Sequence, residues 1–302
     1  MHDIAIIGTG PAGLSAGIAA GRAGLDTILF EKEGIGGELV NRDDVQNYPG
    51  YPDGIAGPEL RAQLVETIEQ YDSTAVLTTV EGIDPGSPHT IQTADGMYEA
   101  SAVLIATGGG DKPLGVPGEE AYDGRGVFYC AKCDGPLYRG ETIAVVGGGD
   151  HALIDTQFLA GLTDQVILID SAPTFSAGQE YREAIAETEN IDIQQGTEVL
   201  EIVGEEGLLT GLRVADVDGT NERTIAVGGL YVHVGIDPHT EFVDGTVPLT
   251  DDGRVHVGSD MQTDIPGIFA AGDVREHSPE SIAAATGDGI VAVEAIRQYL
   301  AE

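Results

Sequence analysis

The chain has 302 residues, 41% of them hydrophobic, and sets 51 acids against 14 lysines and arginines, a formal charge of −37. That length predicts roughly two domains, and phosphate binding needs cations that the chain lacks, so nucleic acid is excluded as a partner. No apolar run approaches the ~20 residues that cross a bilayer, and Met1-His2-Asp3 carries no basic leader region, so a soluble, cytoplasmic protein with no membrane partner is expected.

Ile4 to Ile7 reads as a short buried strand ending at Gly8-Thr9-Gly10-Pro11-Ala12-Gly13. A small-residue helix to about Ala23 follows, then a second strand, Thr27 to Phe30, closing on Glu31. This βαβ opens with the G-x-G-x-x-G fingerprint: Gly8 makes the tight turn, Gly10 admits a pyrophosphate and Gly13 lets helix pack on strand. The helix N-terminus faces the phosphates with its positive end, and Glu31 can take a ribose hydroxyl. A Gly- and Pro-rich loop from Glu33 to Pro58 precedes an amphipathic helix to about Tyr71. Short strands come next, with Ala94-Asp95-Gly96 as a hairpin turn between Thr90-Ile91-Gln92 and Met97-Tyr98-Glu99. A further buried strand, Ala102 to Ala106, stops at Thr107-Gly108-Gly109-Gly110, and Asp111 to Gly118 reads as a linker.

The only two cysteines lie in Cys130-Ala131-Lys132-Cys133-Asp134. Such a pair closes and reopens a small disulfide ring, a two-electron store. Near βαβ patterns it reads as a redox motif rather than a structural framework. Asp134 either caps a helix or, with its pKa raised by burial, protonates a departing thiolate; the acid role is preferred. Lys132 either lowers a thiolate pKa or points to water.

The first pattern then recurs. Thr142 to Val146 is a strand, Gly147-Gly148-Gly149-Asp150-His151-Ala152 the turn, and Val166 to Ile169 the next strand, closing on Asp170. Glu31 follows Gly8 by 23 positions and Asp170 follows Gly147 by 23. One such fingerprint is weak evidence; two with equal spacing argue for two dinucleotide domains. His151 sits either at a diphosphate or on a helix surface, and His233 reads as a packed strand residue. The seven histidines show no paired metal-ligand spacing, so no metal site is argued. No G-x-S-x-G occurs, so no serine nucleophile is argued either. Short strands run to about Val234, with Gly235-Ile236-Asp237-Pro238 as a second linker. Gly267 to Asp273 is a strand delivering an acid, and a last helix, roughly Pro279 to Leu300, carries small residues Ala283, Ala284 and Gly287 on one side.

In order and spacing, these segments resemble the low-molecular-weight thioredoxin reductases, flavoproteins with two dinucleotide-binding domains. The match is carried by Gly8 to Gly13, Gly36-Gly37-Glu38-Leu39, Asn47-Tyr48-Pro49-Gly50, Ala106-Thr107-Gly108, Cys130 to Gly135 and Gly267 to Asp273. The resemblance implies an α/β fold of two Rossmann-like domains. An FAD-binding domain, 1–117 with 238–302, is split by an inserted NAD(P)-type domain, 118–237, carrying the Cys-x-x-Cys pair. It implies that Gly8, Thr9, Gly10, Pro11, Ala12, Gly13, Glu31 and Lys32 hold the FAD diphosphate and adenosine, with Val80 at the adenine. Gly37, Glu38, Leu39 and Asn47 would line the flavin and ribityl side, with Ala106, Thr107, Gly108, Gly272, Asp273, Ser281 and Ile282 completing the cofactor site. Gly147, Gly149, Ala152 and Asp170 would form the nicotinamide dinucleotide site. Cys133 would take the flavin's electrons and Cys130 attack the partner's disulfide, with Asp134 as acid. A homodimer and a large rotation between domains are implied too.

The departures bear on the electron donor. Relatives that use NADPH carry arginines after the second strand of the insert; here Asp170 to Ser176 is followed by no basic residue before Arg182. An acid suits a free 2′-hydroxyl, so NADH is expected and NADPH disfavoured. Ile154, where relatives usually carry an acid, keeps open a non-nicotinamide donor: reduced deazaflavin, ferredoxin or another flavin. Glu280-Ser281 replaces the usual Arg-Gln before the final helix, which removes a positive charge near the flavin. The expected enzyme is an FAD-dependent disulfide reductase acting on thioredoxin or a thioredoxin-like protein. A dithiol oxidase using oxygen and a flavin-bearing redox sensor are the alternatives.

The acidic surface reads as halophilic: self-repulsion destabilises the compact state in dilute buffer, and 1 M salt shortens the screening length to ~3 Å. The thermal unfolding midpoint is therefore expected to climb as KCl rises from dilute to molar. A flat response in scanning calorimetry would contradict this reading.

Overall fold

Runs of Ile, Val and Leu between glycine turns build the strands of two units in this computed structural model, which describes residues 1–42 and 45–302. Positions 43 and 44, inside the predicted 33–58 loop, lie outside the described residues. One unit comprises residues 1–110 with 238–302, the other 111–237. The first opens with β1 (His2–Ile7), α1 (Pro11–Arg22), β2 (Thr27–Glu31), α2 (Gly57–Ile68), β3 (Ser73–Leu77), β4 (Val80–Asp84), β5 (His89–Thr93) and β6 (Gly96–Ile105). After β7 (Gly109–Asp111), the second unit holds α3 (Glu119–Tyr122), β8 (Val127–Phe128), α4 (Ala131–Asp134), β9 (Thr142–Val146), α5 (Asp150–Ala160) and β10 (Gln165–Asp170). It continues with α6 (Gln179–Ala186), β11 (Ile191–Gln195), β12 (Thr197–Glu205), β13 (Leu208–Asp216), β14 (Arg223–Ala226) and β15 (Gly229–Val232). The chain returns through β16 (Ile236–Pro238) to finish the first unit with β17 (Ile268–Ala270) and α7 (Ile282–Leu300).

The first unit's sheet runs β3-β2-β1-β6-β5-β4, with β17 also on β6. β6 is one ten-residue strand where two were expected. Its outer end, Gly96 to Ala100, pairs antiparallel with β5, while Val103 to Ile105 pair parallel with β17. The neighbour changes partway along, yet the strand never loses its partners and has no reason to break. Thr93 pairs with Gly96, so the hairpin loop is only Ala94-Asp95. On one face Ile4, Ile6, Leu104 and Phe269 pack with α1 and α7 residues such as Leu14, Ala16, Ala292 and Ile296. On the other, Ile7, Phe30 and Ile105 pack with Val243, Val247 and Val255.

The second unit's five strands, ordered β11-β10-β9-β15-β8, are all parallel. An antiparallel sheet, β12-β13-β14, packs against them through Val199, Leu212 and Val214. Residues 111–117 group with this unit. Leu114 and Val116 pack on its core, and the Glu119 carboxylate accepts the N–H groups of Leu114 and Gly115 at 2.7 and 2.6 Å. Among the described residues, no helix is long and apolar enough to cross a membrane.

The last helix begins at Ile282 rather than Pro279, because the Ser281 hydroxyl caps it by accepting the Ala284 N–H at 3.2 Å. The small residues buried within the unit are others than Ala283, Ala284 and Gly287. Gly287 is exposed, whereas Ala285, Gly289 and Ala292, at helical spacing, are buried. A Cβ on Gly289 would stand 2.2 Å from the Ala12 carbonyl oxygen. Gly289→Ala is therefore expected to cost about 1–3 kcal/mol. Gly287→Ala, with nothing within 4 Å of the new methyl, is expected to gain about 0.5–1 kcal/mol from helix entropy. Urea unfolding in molar KCl measures both.

Candidate functional site

In the first unit, β1 runs into a turn built at the limit of backbone approach. Gly8 has φ +98°, and a Cβ there would lie 2.4 Å from the Ala106 carbonyl oxygen; one on Gly13 would lie 1.9 Å from that of Gly8. Around Gly10 there is nothing within 4 Å of the Cβ position. The α1 N-terminus it opens has no side-chain cap and no acid in its first turn. Open space before an uncapped helix start is what a diphosphate needs, so these residues fit the FAD that the resemblance implies.

Other elements converge on the same place. Gly36 N–H donates to the Thr9 carbonyl at 3.0 Å, and a Cβ on Gly37 would stand 3.0 Å from the Gly10 Cα. A Cβ on Gly272 would meet that of Ala12 at 3.0 Å. Thr107 Oγ donates to the His239 carbonyl at 2.8 Å, holding the strand end that carries Ala106 and Gly108. Glu31 ends β2, and its Oε2 accepts the N–H and hydroxyl of Thr9 at 3.1 and 2.6 Å. Its Oε1 accepts the N–H groups of Lys32 and Glu33. The carboxylate thus ties the strand end to the turn. Lys32, Glu38 and Asn47 are exposed; Val80 is buried in the sheet's second core. Leu39 is buried with Val45, Ile55 and Leu60, and Ile282 packs on that cluster.

Beyond β17, Asp273 accepts the Ser278 hydroxyl at 2.7 Å, and burial pushes its carboxyl pKa up. Two arginines that sequence reasoning missed organise this corner. Arg275 grips Asp288 of α7 through two N–H···O contacts at 2.6 and 3.0 Å, and Asp288 also accepts the Gly272 N–H at 3.1 Å. Arg254 donates to the Asp273 carbonyl at 3.0 Å and pairs with Glu280 at 2.6 Å. A guanidinium therefore does reach the Glu280-Ser281 corner, delivered from 26 positions upstream. No local spacing signals such a pair.

In the second unit, Cys130 and Cys133 form a disulfide with Cα atoms 5.3 Å apart. Cys130 caps α4, and the Cys133 N–H donates to its sulfur at 3.2 Å. Cys133 is exposed and Cys130 half-buried. Ala131, beneath them, is buried with Phe128 and Leu159. Asp134 follows directly, and burial pushes its carboxyl pKa up. Lys132 is partly buried.

The second glycine turn shares the first one's strand-to-helix course, and a Cβ on Gly149, the match of Gly10, would meet only Ser176 Oγ, at 3.9 Å. A Cβ on Gly147, φ +141°, would lie 2.1 Å from the His233 carbonyl oxygen, as Gly8 does from Ala106. Gly149 caps α5 and Ala152 is buried. The Asp170 carboxylate presses on the turn, its Oδ2 only 1.9 Å from the Cβ position of Gly148. Asp150 puts an acid in the first turn of α5 and accepts the Gly178 N–H at 2.7 Å. Ala177 N–H and Ser176 Oγ donate to the Gly148 carbonyl at 3.0 and 3.2 Å. His151, Asp155 and His233 also come together beside this turn, with ligand atoms within 4.8 Å of one another. The sequence reading argued no metal site and left these side chains apart; only the i, i+4 spacing of His151 and Asp155 hinted at a shared face.

The family model for pyridine nucleotide-disulphide oxidoreductases matches residues 2–289. The chain is 38% identical to a thioredoxin reductase of Mycolicibacterium smegmatis, covering 100% of this chain and 97% of that one. The crystal structure of Lactococcus lactis thioredoxin reductase superposes with a TM-score of 0.94 at 33% identity, covering 100% and 99% of the two chains. A ferredoxin-flavin thioredoxin reductase from Clostridium acetobutylicum matches with a TM-score of 0.53 at 29% identity, covering 100% and 98%.

The open Gly10 cradle separates binding from folding. Gly10→Val is expected to keep the native circular dichroism spectrum, since a Cβ there has no atom of the described residues within 4 Å. The flavin-to-protein ratio after purification in FAD should fall at least about tenfold, as the valine fills the diphosphate's approach.

Proposed function

The chain belongs to the pyridine nucleotide-disulphide oxidoreductases and, within them, to the low-molecular-weight thioredoxin reductases, and from that premise we propose how its own residues carry electrons. It is a flavoprotein disulfide oxidoreductase of the thioredoxin reductase type. The proposed acceptor is thioredoxin or a thioredoxin-like protein and the proposed donor NADH. Residues Gly8 to Gly13, Glu31, Gly37 and Asp273 would hold FAD, which when bound supplies two-electron transfer between donor and disulfide.

The observation that carries the reading is the closed Cys130–Cys133 disulfide with a backbone N–H aimed at the Cys130 sulfur. Two electrons and two protons open the disulfide to a dithiol. The Cys133 N–H then stabilises the Cys130 thiolate, which makes Cys130 the nucleophile. Cys130 attacks one sulfur of the acceptor's disulfide and displaces the other as a thiolate. Cys133 next attacks Cys130 in the mixed disulfide, re-forming the ring and releasing the acceptor as a dithiol. Asp134, whose pKa burial raises, supplies a proton to a departing thiolate.

Asp170 and the absence of a basic residue before Arg182 support NADH over NADPH. A carboxylate beside the turn accepts a ribose hydroxyl but repels a 2′-phosphate. A second reading, a donor other than a nicotinamide, is favoured by the contacts that lay residues 176–178 on the second turn and by Asp150 in the first turn of α5. Reduced deazaflavin, ferredoxin or a flavin would then supply the electrons.

Anaerobic mixing of the oxidised enzyme with each donor in molar KCl is expected to bleach the flavin with NADH and not with micromolar NADPH. Bleaching by reduced deazaflavin or ferredoxin alone would establish the second reading, and rapid bleaching by NADPH would overturn the argument from Asp170. Asp134→Asn should slow thioredoxin reduction by about 100-fold and leave donor-driven bleaching unchanged. Because its pKa is raised, Asp134 stays protonated to higher pH than an ordinary carboxyl. Wild-type turnover should fall as pH rises through that pKa, and the variant should lose this limb.

A further inference from the structure

We propose that His151, Asp155 and His233 form a binding site for one divalent transition-metal ion of the zinc class. His151 and Asp155 are one turn apart on α5, and His233 follows β15, its N–H bonded to the Val146 carbonyl at 2.8 Å. The strand end and the helix start thus deliver two imidazoles and a carboxylate to one point, their ligand atoms all within 4.8 Å. The imidazole rings of His151 and His233 lie 4.7 Å apart.

The His233 side chain is 2% exposed and that of Asp155 9%. His233 Nε2 lies 3.0 Å from Asp155 Oδ2 as an ion-pair contact, but among the described residues this buried nitrogen makes no hydrogen bond. Leaving such a group unsatisfied is costly, and a bound cation removes the cost by taking the nitrogen's lone pair while neutralising the carboxylate. Zinc–nitrogen and zinc–oxygen bonds of about 2.0–2.2 Å put tetrahedral ligand atoms roughly 3.4 Å apart. The widest pair therefore needs to close by no more than about 1.4 Å. Two imidazoles and one carboxylate select zinc, cobalt, nickel or copper over magnesium and calcium, which ask for oxygen shells. Three protein ligands leave a position for water.

The test uses the FAD-loaded, oxidised enzyme, whose closed disulfide offers no thiolate, stripped by chelator and kept in molar KCl with excess Mg²⁺ to occupy surface carboxylates. Calorimetric titration with Zn²⁺ should show one site per chain. His151→Ala, at a half-buried helix start, should weaken it by about 100-fold or more with flavin spectrum and thermal midpoint unchanged. Asp155→Asn and His233→Gln should do likewise where they fold. Cu²⁺ in place of zinc should show electron paramagnetic resonance splitting from two nitrogens, falling to one in His151→Ala. Absence of a stoichiometric zinc site above the Mg²⁺-resistant background, or an unchanged site in His151→Ala, overturns the proposal.

Discussion

The contact on which the first unit rests is backbone against backbone. Gly13 rests on the carbonyl of Gly8, and Gly8 on that of Ala106, at separations that leave no room for a side-chain carbon. Those two contacts bring α1 down onto β1 and lock both to the end of β6. They also decide where the helix starts and thus where its uncapped N–H groups point. Glu31 then latches the turn from the neighbouring strand, and Asp288 with Arg275 latches Gly272 from the far side. The open volume at Gly10 is what remains when every other approach has been closed.

The second turn repeats the design with different chemistry at matching positions. Where the first places Thr9 beneath Glu31, the second places Gly148 beneath Asp170, and where the first has Pro11 the second has Asp150. The first change removes a hydroxyl partner from the carboxylate and the second adds an acid to the helix's first turn. A chain of charge −37 has few cations, seven in each unit, and in the first unit Arg254 and Arg275 hold the Asp273 corner. The two glycine turns therefore differ in the carboxylates beside them more than in backbone course.

What could be read from residues alone was the local and periodic part. Two glycine turns with equal spacing to their acids, the alternation of strand and helix, and the cysteine pair are short-range patterns, and the structure has the expected elements at each. Boundaries that depend on distant partners were not legible. β6 is continuous because β17, far along the chain, takes over where β5 stops. Which small residues of α7 meet α1 was not legible either: Gly289, two positions and about 200° around the helix from Gly287, is the one that meets Ala12. Arg254, Arg275 and His233 each find their partners across long sequence separations, and no spacing rule announces such meetings.

The discontinuous first unit has a consequence for biosynthesis. Residues 111–237 are contiguous, so that unit is complete once its last strand has left the ribosome. The flanking unit must wait. Its sheet lacks β17 and its first helix lacks the cover of α7 until the final residues emerge. Domains that fold during synthesis do so as their chains become complete, so the inserted half is the early folder. A nascent chain cut short before β17 would leave the tunnel with its cysteine-bearing half formed and its flanking half still open.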